Sequence, residues 1–279
     1  MGLSPVAALV RRHDPDRYRA ALFAPTRRRE ALFALYAFNH EIARVRESVT
    51  TPMLGQIRLQ WWREAVEAAY AGRPARHHVV AENLPAIIRE RSLTRVHFER
   101  LIDAREHDLA GEPPASLAAL EDYAEATSAT LIRLALELLG VAAPAAETAA
   151  REVGIFYAFA GLLRAMPLHA RAGRRCIPDD IAADAGLDPG DYAALRASPA
   201  LRQTVAAVAA AAVRHLDEAR QHRAAVPRAA LPALLPALAA ERGLARLRRA
   251  GWNPFDPRVN APDPLLVWRM AGAMLRRRF

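Results

Sequence analysis

The chain has 279 residues, of which 52% are hydrophobic and 25% are charged. This balance excludes a disordered chain, and the length suffices for one large core or two small ones. All 39 basic residues are arginine, and the net charge is +9. Because alanine is also abundant, we read this composition as that of a GC-rich bacterial genome. The single cysteine, Cys176, excludes an internal disulfide and a cysteine-based zinc site.

The positive charge favours anionic partners, such as a membrane surface, a nucleic acid or an acidic protein. No basic run is interleaved with aromatic residues, so a nucleic-acid partner is not expected. The longest apolar runs, 204–213 and 229–240, are shorter than the ~20 residues that span a bilayer, and the N-terminus has no signal-peptide pattern. We therefore predict a cytoplasmic protein that is at most peripheral to the inner membrane.

Apolar residues recur at helical spacing along the whole chain. The predicted helices are 31–49, 53–70, 78–91, 94–109, 116–140, 145–169, 178–185, 188–197, 201–225, 241–250 and 265–278. Pro52 suits the first turn of the second helix, and the long helix 116–140 is expected to break near 127–130. Pro167 is expected to bend its helix because proline removes a ladder hydrogen bond. With no alternating strand pattern, repeat or linker, we predict one all-α domain over residues 1–279.

Several short stretches carry a family resemblance: FALYAF at 33–38, QWW at 60–62, LIDAR at 101–105, GLLR at 161–164, and GR at 173–174 followed by IPDD at 177–180. They resemble the squalene/phytoene synthase family along nearly the whole chain. Enzymes of that family join two prenyl diphosphates head to head. The resemblance implies a single isoprenoid-synthase-like helical bundle around a central apolar cavity.

The catalytic positions of that family are altered in this chain. The resemblance places the first acidic pair on Ala43 and Glu47, with Arg44 at another normally acidic place, and the second pair on Ala165 and His169. Mg²⁺ prefers oxygen ligands and neutralises the diphosphate that leaves, so these enzymes need carboxylates on facing helices. We therefore expect no catalytic residue, no metal and no cofactor. His169 and Glu47 are expected to form a structural pair instead.

The substitutions themselves resemble a non-catalytic branch of the family, the respiratory complex I assembly factors. The resemblance lies in FN at 38–39 followed by Glu41, LRA at 163–165 with Pro167 and His169, YAE at 123–125, and the region 226–257. It implies complex I subunits or assembly intermediates as partners. Two alternatives stay open. One is a working prenyltransferase that uses Mg²⁺, and the other is a protein that binds a prenyl or lipid phosphate.

Two further groups of residues are candidates for a site. Guanidinium groups without Mg²⁺ can bind phosphate directly, although pairing with Glu41, Glu47, Asp103 or Glu106 is the competing interpretation. The candidate anion-binding residues are Arg44, Arg164, Arg171 and Arg174. The candidate cavity-lining residues are Tyr36, Phe38, Trp61, Phe156 and Phe159, for which ordinary core packing is the alternative. The basic C-terminal run 276–279 is expected either to contact an anionic lipid surface or acidic partner, or to be solvated.

Overall fold

Helices make up all the regular structure in the computed structural model, which describes residues 2–279. Within that range there is no strand, so the all-α prediction is confirmed. The helices are α1 (Pro5–His13), α2 (Pro15–Ala21), α3 (Thr26–Ala43), α4 (Pro52–Tyr70), α5 (Leu84–Arg91), α6 (Arg95–Ala110), α7 (Leu117–Ala124), α8 (Thr130–Leu139), α9 (Pro144–Arg171), α10 (Asp179–Asp184), α11 (Pro189–Ala193), α12 (Pro199–Gln221), α13 (Leu231–Leu234), α14 (Pro236–Arg249) and α15 (Leu266–Arg276).

Side-chain caps and prolines set where several helices begin. The hydroxyls of Ser4, Ser116 and Ser198 each accept a hydrogen bond from a backbone N–H in the first turn of α1, α7 and α12. Pro52 occupies the first position of α4, as predicted, where its missing N–H has no cost. The predicted break near 127–130 is a π-helical turn, Glu125–Ala129, that joins α7 to α8.

Several predicted helices have different bounds in the structure, and the two largest differences concern α3 and α5. Helix α3 ends at Ala43 and not at residue 49, because the backbone tightens into a 3₁₀ turn at Arg46–Ser48. The helix predicted over 78–91 begins only at Leu84, after a 3₁₀ turn at Ala81–Asn83. The first difference matters for function, because it removes Glu47 from the α3 helix that carries Ala43.

The longest helix, α9, lies at the centre of the bundle and packs against α8, α12, α14 and the π-helical turn. Its 28 residues are long and apolar enough to cross a membrane, although no apolar run of that length is predicted here from the sequence. However, 56% of its most apolar window is buried inside the protein, as is typical of a central core helix. Packing within the bundle therefore accounts for its apolar character.

Two backbones approach each other closely in this core at Gly154 of α9. A Cβ atom added to Gly154 would lie 2.3 Å from the Cα atom of Ala129 in the π-helical turn. No side chain fits in that gap, so the glycine allows α9 and the turn to touch backbone to backbone.

A separate, smaller apolar cluster attaches the last helix. Leu266, Met270 and Ala273 of α15 pack against Ala20 of α2 and Leu235 near the start of α14. Helix α15 is thus held by one face only, at the periphery of the bundle.

Candidate functional site

The altered family positions lie at one end of the bundle, on α3 and α9 and in the turns that follow them. Ala43 is the last residue of α3, and Glu47 lies in the 3₁₀ turn with 55% of its side chain exposed. Ala165 and His169 lie one turn apart near the end of α9. His169 is half-buried and Ala165 has no polar group, so this end of α9 offers no carboxylate.

An arginine occupies the space between the ends of α3, α6 and α9. Arg174 follows α9 directly after a turn at Gly173, whose φ of +67° suits glycine. Its Nη1 atom lies 4.0 Å from Glu47 Oε1, and its Nη2 atom lies 3.6 Å from Asp108 Oδ1 on α6. The guanidinium group therefore bridges two carboxylates. The predicted pair between His169 and Glu47 is wrong, because Arg174 is the partner of Glu47.

Asp108 also belongs to a buried network with Arg105 and Tyr123. Arg105 Nη1 donates to Tyr123 Oη at 2.6 Å, and Tyr123 Oη donates to Asp108 Oδ1 at 2.9 Å. Arg105 Nη1 lies 3.4 Å from Asp108 Oδ2. Burial raises the pKa of the Tyr123 hydroxyl, which keeps it protonated as a donor.

This network was not singled out from the sequence as a site. The signal that points to it is the spacing of Arg105 and Asp108, three residues apart on one helix, where side chains meet.

Two further groups beside Arg174 are held uncharged. Burial, and then the nearby positive charge of Arg174, lower the pKa of His169 to about 4. Burial raises the pKa of the Cys176 thiol to about 11. At neutral pH a neutral imidazole and a protonated thiol therefore lie beside Arg174.

A cavity of about 860 Å³ opens beside this cluster, between α6, α7 and the loop that joins them. Asp108, Tyr123, Arg174 and Cys176 form part of its wall, and Leu120 and Leu162 contribute apolar surface. A cavity with a charged side and apolar walls can hold an amphipathic ligand. Across residues 2–279, no group of three or more His, Cys, Asp or Glu side chains is arranged to hold a metal ion.

The four candidate anion-binding arginines do not converge. Arg44 lies 3.4 Å from Glu41, Arg164 lies 3.4 Å from Asp16, and Arg171 is exposed. Only Arg174 lines the cavity. Arg44 and Arg174 thus take part in pairs with Glu41 and Glu47, as in the competing interpretation. Asp103 and Glu106 pair instead with Arg63 on α4.

The aromatic residues predicted to line a cavity lie elsewhere. Tyr36, Phe38, Phe156 and Phe159 are each at most 2% exposed and belong to the main core, outside the wall of the 860 Å³ cavity. Phe38, for example, packs edge-to-face against Trp62 and Phe98. These contacts fill the interior of the bundle, so the four residues pack in the core and do not line the cavity.

Trp61 has a different position from the other four aromatic residues. It is partly exposed and borders a smaller pocket with Gln60 and Arg63 on α4.

A model of the squalene/phytoene synthase family matches residues 10–266. The chain belongs to the squalene/phytoene synthase family. The structure is similar to that of the squalene synthase HpnC from Alicyclobacillus acidocaldarius. The TM-score is 0.78 at 24% identity, covering 89% of this chain and 94% of that one. This likeness confirms the isoprenoid-synthase fold.

The relatives of this chain include both an assembly factor and an enzyme. The "NADH dehydrogenase (ubiquinone) complex I, assembly factor 6" of Mus musculus is 32% identical over 271 residues, covering 97% of this chain and 81% of the relative. The presqualene diphosphate synthase of Rhodopseudomonas palustris is 25% identical over 203 residues, covering 72% of each. Similarity to the assembly factor is thus both higher and more extensive.

Proposed function

We propose that this chain acts in the assembly of respiratory complex I and has no prenyltransferase activity. The observation that carries the proposal is the 32% identity to complex I assembly factor 6 over 97% of the chain. Its partners are complex I subunits or assembly intermediates. It needs no cofactor, and it works in the cytoplasm as a protein that is at most peripheral to the inner membrane.

The chemistry of the site supports an inactive family member. Prenyl transfer needs Mg²⁺ to neutralise the diphosphate as the allylic C–O bond ionises, and Mg²⁺ needs carboxylate ligands. Helix α9 presents Ala165 and His169 at the positions in question, and the exposed Glu47 faces Arg174. A positive guanidinium at this place repels a divalent cation.

Deletion of the gene in its host tests the assembly role. We expect loss of assembled complex I from membranes on a native gel, together with loss of NADH:quinone activity. Both should return with the wild-type gene and also with Glu47→Ala, because the role does not use Mg²⁺ chemistry. Normal complex I in the deletion strain would contradict the proposal.

The second candidate function is head-to-head prenyl transfer, favoured by the similarity to presqualene diphosphate synthase. Purified protein incubated with Mg²⁺ and farnesyl or geranylgeranyl diphosphate should give no condensed product by mass spectrometry. Steady turnover that is abolished by Glu47→Gln would establish the enzyme instead.

The cavity also supports binding of a prenyl or lipid phosphate as a structural ligand, with Arg174 facing the phosphate and apolar walls around the chain. Native mass spectrometry of gently purified protein should then show a retained lipid whose amount falls in Arg174→Gln. Protein that carries no lipid would count against this role.

A further inference from the structure

Helix α15 has apolar residues on both of its faces. Leu266, Met270 and Ala273 are buried against the bundle. On the outside, Trp268 is 75% exposed and Leu275 is 79% exposed. These two residues are seven positions apart, so they project from the helix in nearly the same direction. A surface helix normally carries polar residues on its outer face, and this one carries a large aromatic and a leucine.

All charged side chains at this end of the chain are positive. The segment 265–279 contains four arginines and no acidic residue. Arg269 lies 3.7 Å from Asp263. Arg276, Arg277 and Arg278 are all exposed, and none of them forms an ion pair within the part of the chain that the structure describes. Three unneutralised guanidinium groups therefore follow the exposed apolar stripe directly.

This combination is the chemistry of a helix that lies in a membrane interface. Tryptophan is favoured at the level of the lipid headgroups, because its ring is apolar and its indole N–H can reach water or phosphate. Guanidinium groups bind phosphate oxygens in a fork, and an anionic leaflet attracts clustered arginines. The alternative of a symmetric contact between two copies fits less well, since the same face of a second copy has no acidic residue in 265–279 to pair with the arginines.

We propose that the outer face of α15 docks on an anionic bilayer surface, which defines the membrane contact of this protein. Trp268 and Leu275 enter the boundary between headgroups and acyl chains, and Arg276, Arg277 and Arg278 bind lipid phosphates. The family model ends at residue 266, so this contact is made by a helix outside the matched region. Docking through α15 is independent of the assembly role.

Flotation of the full-length chain with vesicles tests the surface. We expect binding to phosphatidylcholine vesicles that contain phosphatidylglycerol, little binding to phosphatidylcholine alone, and weakening by salt because surface charges are screened. Each arginine near an anionic surface contributes about fivefold in affinity, so R276Q/R277Q/R278Q should bind about a hundredfold more weakly. W268A/L275S should also lose binding.

Matched variants separate this surface from general charge and apolar exposure. R11Q/R12Q/R89Q removes the same charge from exposed arginines elsewhere, and I57S removes a residue of α4 that is 59% exposed. Both should bind like the wild type.

Fluorescence gives a second measurement that does not require a disruptive variant. Brominated lipid should quench the wild-type chain, and Trp268→Phe, which keeps an apolar ring, should lose that quenching. Three results would overturn the proposal. The first is no binding of the wild type to anionic vesicles, and the second is equal binding by the α15 and control variants. The third is that W268A/L275S changes the oligomeric state measured by sedimentation and leaves vesicle binding unchanged. The last would indicate a contact between copies.

Discussion

At the scale of single residues, Gly154 decides how closely the central helix meets its neighbours. Gly154→Ala would place a methyl group 2.3 Å from a backbone atom of Ala129, which cannot rotate away. We expect a loss of about 3 kcal/mol in the free energy of unfolding, the upper end for overpacked cores, measured by urea denaturation.

Gly161 is the matched control on the same helix, because nothing lies within 4 Å of the Cβ atom it would gain. Gly161→Ala should stabilise the protein by up to about 1 kcal/mol, since alanine favours a helix more than glycine does. Equal effects of the two variants would show that the approach at Gly154 is not tight.

At the scale of elements, a buried polar contact joins α9 to α12. Glu152 is 6% exposed, accepts a hydrogen bond from Arg151 at 2.5 Å, and lies 2.6 Å from Nδ1 of His215. Glu152→Ala leaves the imidazole without this partner and should cost about 2 kcal/mol of unfolding free energy, because a buried polar group loses its hydrogen bond. Glu152→Gln keeps an acceptor and should cost less, as measured by thermal and urea unfolding.

The comparison for that prediction is Glu147, which lies on the same helix and pairs with Arg133 while its side chain stays 56% exposed. Glu147→Ala should cost at most about 1 kcal/mol, because exposed ion pairs are screened by water. If the two alanine variants lose the same free energy of unfolding, the burial of Glu152 does not strengthen its contacts.

At the scale of the whole molecule, partly buried histidines make stability depend on pH. Burial lowers the pKa of His40, His97 and His169, in the last case to about 4. In the unfolded chain these groups titrate near their ordinary value of about 6.5. Between that value and the folded pKa the unfolded state binds more protons, so the free energy of unfolding falls as the pH falls.

We therefore expect the Tm in scanning calorimetry to decline steadily from pH 7 to pH 5, and His169→Gln to show a shallower decline. The acidic side chain of Glu125, whose pKa is lowered from 4.5, loses its contribution only below that range. A Tm that is flat between pH 7 and pH 5 would contradict the assignment to histidines.

The sequence predicts most of this fold and less of its site. Apolar periodicity and prolines place α4, α6, α9 and α12 within a few residues, because burial of a helical stripe is a local property. The family resemblance identifies Ala165 and His169 on α9. The end of α3 is predicted too late, since a 3₁₀ turn has no periodicity signal of its own.

The sequence also does not decide between His169 and Arg174 as the partner of Glu47, for a different reason. Arg174 follows the turn at Gly173 and meets Glu47 and Asp108, and pairing between residues so distant in sequence depends on the tertiary fold. A hydrophobic pattern contains no information about which of 39 arginines meets which carboxylate.

The bridge formed by Arg174 has a consequence for how the protein responds to its surroundings. Its positive charge between Glu47 and Asp108 is covalently attached to the chain, so it cannot dissociate when the free concentration of divalent ions falls. A bound ion would make this end of the bundle depend on ion supply by mass action. Because the counter-ion here is an arginine side chain, the free energy of unfolding should not change when a chelator removes divalent ions.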